Sequence, residues 1–145
     1  MSRVTFAPFA DDGDLLARAL SAAQMPTDDL TEPHREFFAL SDDAGPIGFI
    51  GLEGSGADRL LRSLVVLPAR KRQGYGGLLV ARAEAVARQS GVERLHLLTQ
   101  TVPDFFRSRG YRPADRASAP ASIASTVQFA SLCPASAAYL VKDIA

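Results

Sequence analysis

The segment Leu64 to Leu79, LVVLPARKRQGYGGLL, carries the residues whose types and spacing bear most directly on chemistry. An apolar run meets a basic, glycine-rich turn, and helical spacing begins at Gly76. Glycines let a backbone approach a ligand closely, and the first amides of a helix, with its positive dipole end, point at an anion. Arg70, Lys71 and Arg72 add positive charge at that place. The segment reads as a phosphate site, set against a solvated loop whose glycines only permit a tight turn. Two other phosphate patterns fail on counting. A dinucleotide turn needs GxGxxG, but the sixth position from Gly74 is Leu79, and the Gly-Lys-Ser/Thr of a nucleotide-hydrolase loop is absent.

The elements around that turn follow from periodicity. Leu60 to Leu67 is an apolar run of strand length stopped by Pro68, and Leu79, Ala83 and Val86 repeat at helical spacing up to Gly91, a residue suited to a helix end. Arg94 to Thr99 is the next strand, so a right-handed crossover makes these two strands parallel. Upstream, Val4 to Ala7 reads as a strand, and Asp11 and Asp12 open a helix through Leu15, Leu16, Ala19 and Leu20 that ends at Pro26. Glu36 to Leu40, a turn over Ser41 to Gly45, and Pro46 to Glu53 form a hairpin, with Gly54 to Gly56 turning into Leu60 to Leu67. Downstream, Pro103 to Arg109 is a short helix ended by Gly110, and Ala137 to Val141 a last strand. Arg116 to Ser136 has no clear period and stays unassigned.

A chain of 145 residues suits one core and one domain over 1–145, without repeats or linkers. Hydrophobic residues at 47% and charged residues at 22% exclude a disordered chain. Sixteen basic and sixteen acidic side chains cancel, which removes the field that nonspecific nucleic-acid binding uses. No run has the length of a membrane span, and Met1 to Ala10 does not read as a signal peptide. Cys133, the single cysteine, allows neither an internal disulfide nor a thiolate metal cage. A cytoplasmic protein with no nucleic-acid, membrane or metal partner is expected, as a monomer or homodimer.

Lys71, Arg72, Gln73, Gly74, Tyr75 and Gly76, in this strand-turn-helix context, resemble motif A of the GNAT acetyltransferases, with Lys71 where the pattern has Gln or Arg. Phe105, Phe106, Arg107, Ser108, Arg109, Gly110 and Tyr111 resemble the family's motif B. The resemblance implies an α/β (α+β) fold with antiparallel N-terminal strands and a central parallel pair that splays apart. It implies acetyl-CoA as cosubstrate, its pyrophosphate on the amides of Gln73 to Gly77 and its pantetheine arm along the backbone of Leu64, Val65 and Val66. An amide of Val65 or Val66 would meet the oxyanion. Phe106 stands where many members have a proton-donating tyrosine, and Thr99 and Thr101 where many have asparagine. LLRSLVV at 60–66, HLLT at 96–99, FFRSRGY and FASLCPASA at 129–137 resemble the arsenic-resistance subgroup of that family.

The implied reaction is acetyl transfer to a primary amine of a small molecule, an amino-acid-like compound if the subgroup likeness carries over. The other class is an acyl-CoA sensor without turnover, which Phe106 in the tyrosine's place, and Leu97 and Leu98 where the family frequently has a glutamate base, would suit. On the acceptor side Arg62 is read as a carboxylate clamp or a surface ion pair, Glu53 as a base or a solvated strand end, and Ser63 as their neighbour. Ser131 orients substrate or caps a turn, Cys133 fills the core, and His34 and His96 lack ligand spacing.

Overall fold

The computed structural model describes residues 3–9, 14–25, 27, 30–31, 33–100, 102–132 and 137–145. Among these residues seven strands form one sheet: β1 (Thr5–Pro8), β2 (Arg35–Asp42), β3 (Gly45–Glu53), β4 (Asp58–Val66), β5 (Arg94–Thr99), β6 (Arg112–Pro113) and β7 (Ala138–Asp143). Their order is β1-β2-β3-β4-β5-β7-β6. All neighbours are antiparallel except β4 and β5, the pair joined by the crossover helix.

β2 and β3 run further into their turn than the turn residues suggest, leaving Asp43 and Ala44 as a two-residue loop. Asp42 Oδ1 accepts from Ala44 N at 3.0 Å, closing the turn locally. β3 is buried along most of its length because it lies inside the sheet with both faces covered.

Helix α2 (Tyr75–Gln89) buries Leu79, Val80, Ala83 and Ala87 on one face of the sheet against Ile50, Leu52, Leu61, Leu95 and Leu97. Gly91, at φ 83°, ends the segment as its type suggests. Helix α1 (Leu15–Ala22) packs Leu16 and Leu20 on the opposite face against Phe49 and Val65. The expected helix start at Asp11 and Asp12 and its stop at Pro26 lie outside the described residues.

Helix α3 (Pro103–Arg107) is shorter than its apolar pattern suggests, and α4 (Ala121–Ala124) is one turn. A π-type turn, Gln128–Leu132, follows α4. Elements of two to five residues leave no readable period, which is why β6 and the segment after Arg116 escape sequence reasoning.

Candidate active site

β4 and β5 are paired only at Asp58 with Arg94, Arg59 with Leu95 and Leu60 with His96. Beyond Leu60 the two strands part: β4 continues along β3, and β5 continues along β7 through Leu97, Leu98 and Thr99. The register between β3 and β4 shifts between Phe49 and Gly51, which oppose Val65 and Arg62, so β4 carries one extra residue. Ser63 sits at φ 58° within this bulge. An unpaired extra residue bends its strand, and here it turns β4 away from β5.

The alternation of an antiparallel ladder decides which polar groups face the opening. Leu67 N donates to Ile47 O at 2.8 Å, which directs the N–H and C=O of Val65 toward β3 as well. Those of Leu64 and Val66 then face the split. Val65 is thus the exception among the three residues expected along the pantetheine arm: its carbonyl lies against Gly48 and its side chain packs on α1. The Val66 amide faces the split, whereas that of Val65 faces β3.

After β4 the chain makes a 3-10 turn, Pro68–Arg70, and Gly74 enters α2 at φ 81°, a conformation in which a side chain is strained. Among the described residues no side chain caps α2, and its first turn holds no acidic residue. The amides of Tyr75, Gly76 and Gly77 are thus open at the positive end of a 15-residue helix, which suits an anion. Lys71 and Arg72 are exposed beside them.

Two cations there differ from the expectation. Arg70 forms two hydrogen bonds of 2.7 Å to the Asp42 carboxylate, and these hold that carboxyl below its ordinary value and push Arg70 higher. Its charge ties the turn to the β2–β3 hairpin instead of facing a ligand. Arg109 arrives from the residues after α3, and its guanidinium fills the place of a Cβ on Gly77. No pattern in the sequence joins these two positions.

Phe105 lies beside Gly76, where a Cβ would come within 3.3 Å of its ring. Phe106 is 6% exposed and packs edge-on to Phe105 and Tyr111, so it lines the core behind α3. Thr99 Oγ1 accepts from Val102 N at 3.3 Å and caps the turn into α3. Thr101 lies outside the described residues.

On the α1 face, Glu53 and Arg62 come together as a buried ion pair of 2.7 Å, neither a surface pair nor a solvated strand end. Arg35 approaches the other Glu53 oxygen at 3.4 Å. Arg62 Nε donates to Ser63 Oγ at 3.1 Å. In the amide orientation that satisfies both groups, Gln128 Oε1 accepts from Arg62 Nε at 3.2 Å and Nη2 at 3.0 Å. Arg35 and Gln128 were not singled out by type or spacing. Just below the point where the strands part, His96 bonds Asp58 Oδ1 and Tyr139 Oη, each at 2.7 Å. Burial, then the Asp58 charge, pushes the Tyr139 phenol up. Cys133 and the Ser131 side chain lie outside the described residues.

Among the described residues no three His, Cys, Asp or Glu side chains gather as a metal cluster, and no helix is long and apolar enough to cross a membrane. A mixed sheet parted between two parallel strands, with an uncapped glycine turn opening the helix that joins them, defines an acyltransferase-type α/β fold. The model of the acetyltransferase (GNAT) domain matches residues 33–113. The chain belongs to the GNAT acetyltransferase family, a family of acyltransferases.

An uncharacterized N-acetyltransferase of Chlorobaculum tepidum is 30% identical over 117 residues, which are 80% of this chain and 70% of that protein. An amino-acid acetyltransferase of Ectopseudomonas mendocina is 38% identical over 69 residues, 48% of this chain and 16% of that protein. The N-acetylglutamate synthase of Neisseria gonorrhoeae, in complex with coenzyme A and N-acetylglutamate, superposes with a TM-score of 0.81 at 20% identity over 100% of this chain and 36% of that one. The chain thus spans only a fraction of the length of these last two proteins.

Proposed function

We propose that this chain transfers the acetyl group of acetyl-CoA to a primary amine of a small, amino-acid-like molecule. The observation that carries this reading is the parting of β4 and β5 combined with an open α2 N-terminus on the turn that follows β4. Acetyl-CoA supplies an activated acetyl group as a thioester when bound. Tyr75, Gly76 and Gly77 offer amides to its pyrophosphate, Leu64 and Val66 offer backbone groups to its pantetheine arm, and the Val66 amide polarises the reacting carbonyl. Phe106 carries no proton. A thiol's ordinary pKa of ~8.5 makes a thiolate a tolerable leaving group without an acid.

The acceptor class draws support from two relatives, one named for amino acids and one holding N-acetylglutamate. The Arg62 side chain, 0% exposed and engaged by Glu53, Ser63 and Gln128, braces the floor beneath the acceptor side instead of meeting the carboxylate itself. Glu53, engaged by two guanidiniums, positions Arg62 and leaves the ammonium proton to water. Amino-acid-like organoarsenicals fall in the same class, which is where the likeness to the arsenic-resistance subgroup leads.

The test is free-thiol release from acetyl-CoA with a panel of acidic and neutral amino acids, amino-acid-like organoarsenicals, their phosphorus analogues and polyamines. Preference for an amine bearing a carboxylate is expected. Polyamine preference overturns the acceptor class, and binding of acetyl-CoA without turnover on any amine favours a sensor.

A further inference from the structure

The guanidinium of Arg109 is fixed in an electrostatically unfavourable place. It lies against Gly77 in the first turn of α2, with its Nε 3.0 Å from where a Cβ would stand. Phe105 supports it from below, with Cζ 4.0 Å from the ring centroid. Nη1 donates to Phe105 O and to Ser108 Oγ, both at 3.1 Å. A cation beside the positive end of a helix is repelled by the dipole, and no acidic residue lies in that turn. No ion pair joins Arg109 to a carboxylate among the described residues. Stacking and two hydrogen bonds hold a charge where only an anion would relieve it.

We infer that Arg109 is the cation that grips the pyrophosphate of coenzyme A, a role the basic run before Gly74 does not fill alone. This rests on the proposed use of acetyl-CoA. Gly77 is then required for a reason separate from backbone flexibility: any side chain there displaces the guanidinium. Arg70, the other arginine fixed at this turn, is already satisfied by Asp42 and contributes little to the ligand. A guanidinium, with its planar fork, suits phosphate oxygens better than a lysine would.

The test is calorimetric titration of wild type, Arg109→Gln, Arg109→Lys and Arg70→Gln with coenzyme A, and with pantetheine, which has no phosphate. Arg109→Gln should bind coenzyme A about ten- to a hundredfold more weakly, with the deficit shrinking at high salt. Arg109→Lys should fall between, Arg70→Gln should stay within about twofold of wild type, and pantetheine binding should be unchanged by Arg109→Gln. Equal losses for coenzyme A and pantetheine would show that Arg109 acts only by holding Phe105, which overturns the inference, as would wild-type affinity in Arg109→Gln. Failure of wild type to bind coenzyme A at all defeats the cofactor reading itself.

Discussion

Replacing Arg62 by methionine removes one partner of the ion pair beneath the acceptor side while keeping an apolar side chain of comparable length over Phe37. The Arg62 side chain is 0% exposed and that of Glu53 5%, so the substitution leaves a carboxylate in a dry site. Stranding a buried charge costs ~3–5 kcal/mol. Arg35, at 3.4 Å from the other oxygen, keeps part of the compensation and sets the expectation at the lower end. For a chain of this size, a loss of ~3 kcal/mol lowers Tm by roughly 6–12 °C. The assay is chemical and thermal denaturation of wild type, Arg62→Met, Glu53→Gln and the double variant. The cycle should give a coupling of about 2 kcal/mol, because removing the second partner relieves what the first stranded. A coupling below about 0.5 kcal/mol would refute the reasoning, since the two groups would then act independently.

Gly76→Asp places a carboxylate at the open end of α2 and presses on the Phe105 ring, so titration should show acetyl-CoA affinity falling strongly while circular dichroism stays that of a folded chain. Phe106→Leu should cost about 1–2 kcal/mol by loosening the contacts with Phe105 and Tyr111. It should also leave the pH dependence of turnover intact; a lost alkaline limb with binding unaffected would make Phe106 part of the proton path. The Asp42 carboxyl, held low chiefly by its hydrogen bonds from Arg70, stabilises the fold above its unfolded value of ~4 and loses that contribution as pH falls through the lower folded value. Denaturation of wild type and Asp42→Asn between pH 7 and pH 2 should therefore show a stability gap that closes only on the acid side of about pH 4, and a constant gap would remove the ionic contribution.

The parts of the fold that sequence made legible are those with long apolar patterns: the β2–β3–β4 meander, the 15-residue α2 and the exact span of β5. The glycine turn was legible because its chemistry is written in adjacent residues. What stayed hidden depends on residues distant in the chain. That Arg70 is consumed by Asp42, and that Arg109 takes a place at α2, are facts of packing with no local signature. Arg62 and Glu53 were singled out separately, but their pairing needed the β3–β4 register, which the bulge at Ser63 shifts by one residue. The same bulge decides that Val65 turns to β3 while Leu64 and Val66 turn to the split. A bulge residue in left-handed conformation is not announced by serine.

The central claim is that acetyl-CoA occupies the space opened where β4 leaves β5. A crystal structure of the chain with acetyl-CoA tests it most directly. The pyrophosphate should sit on the amides of Tyr75 to Gly77 within reach of Arg109, and the pantetheine arm should run between β4 and β5 along Leu64 and Val66. Acetyl-CoA bound elsewhere, for instance in the cavity of about 350 Å³ between Phe9, Leu16, Leu30 and Phe37, with the split still empty, would contradict it.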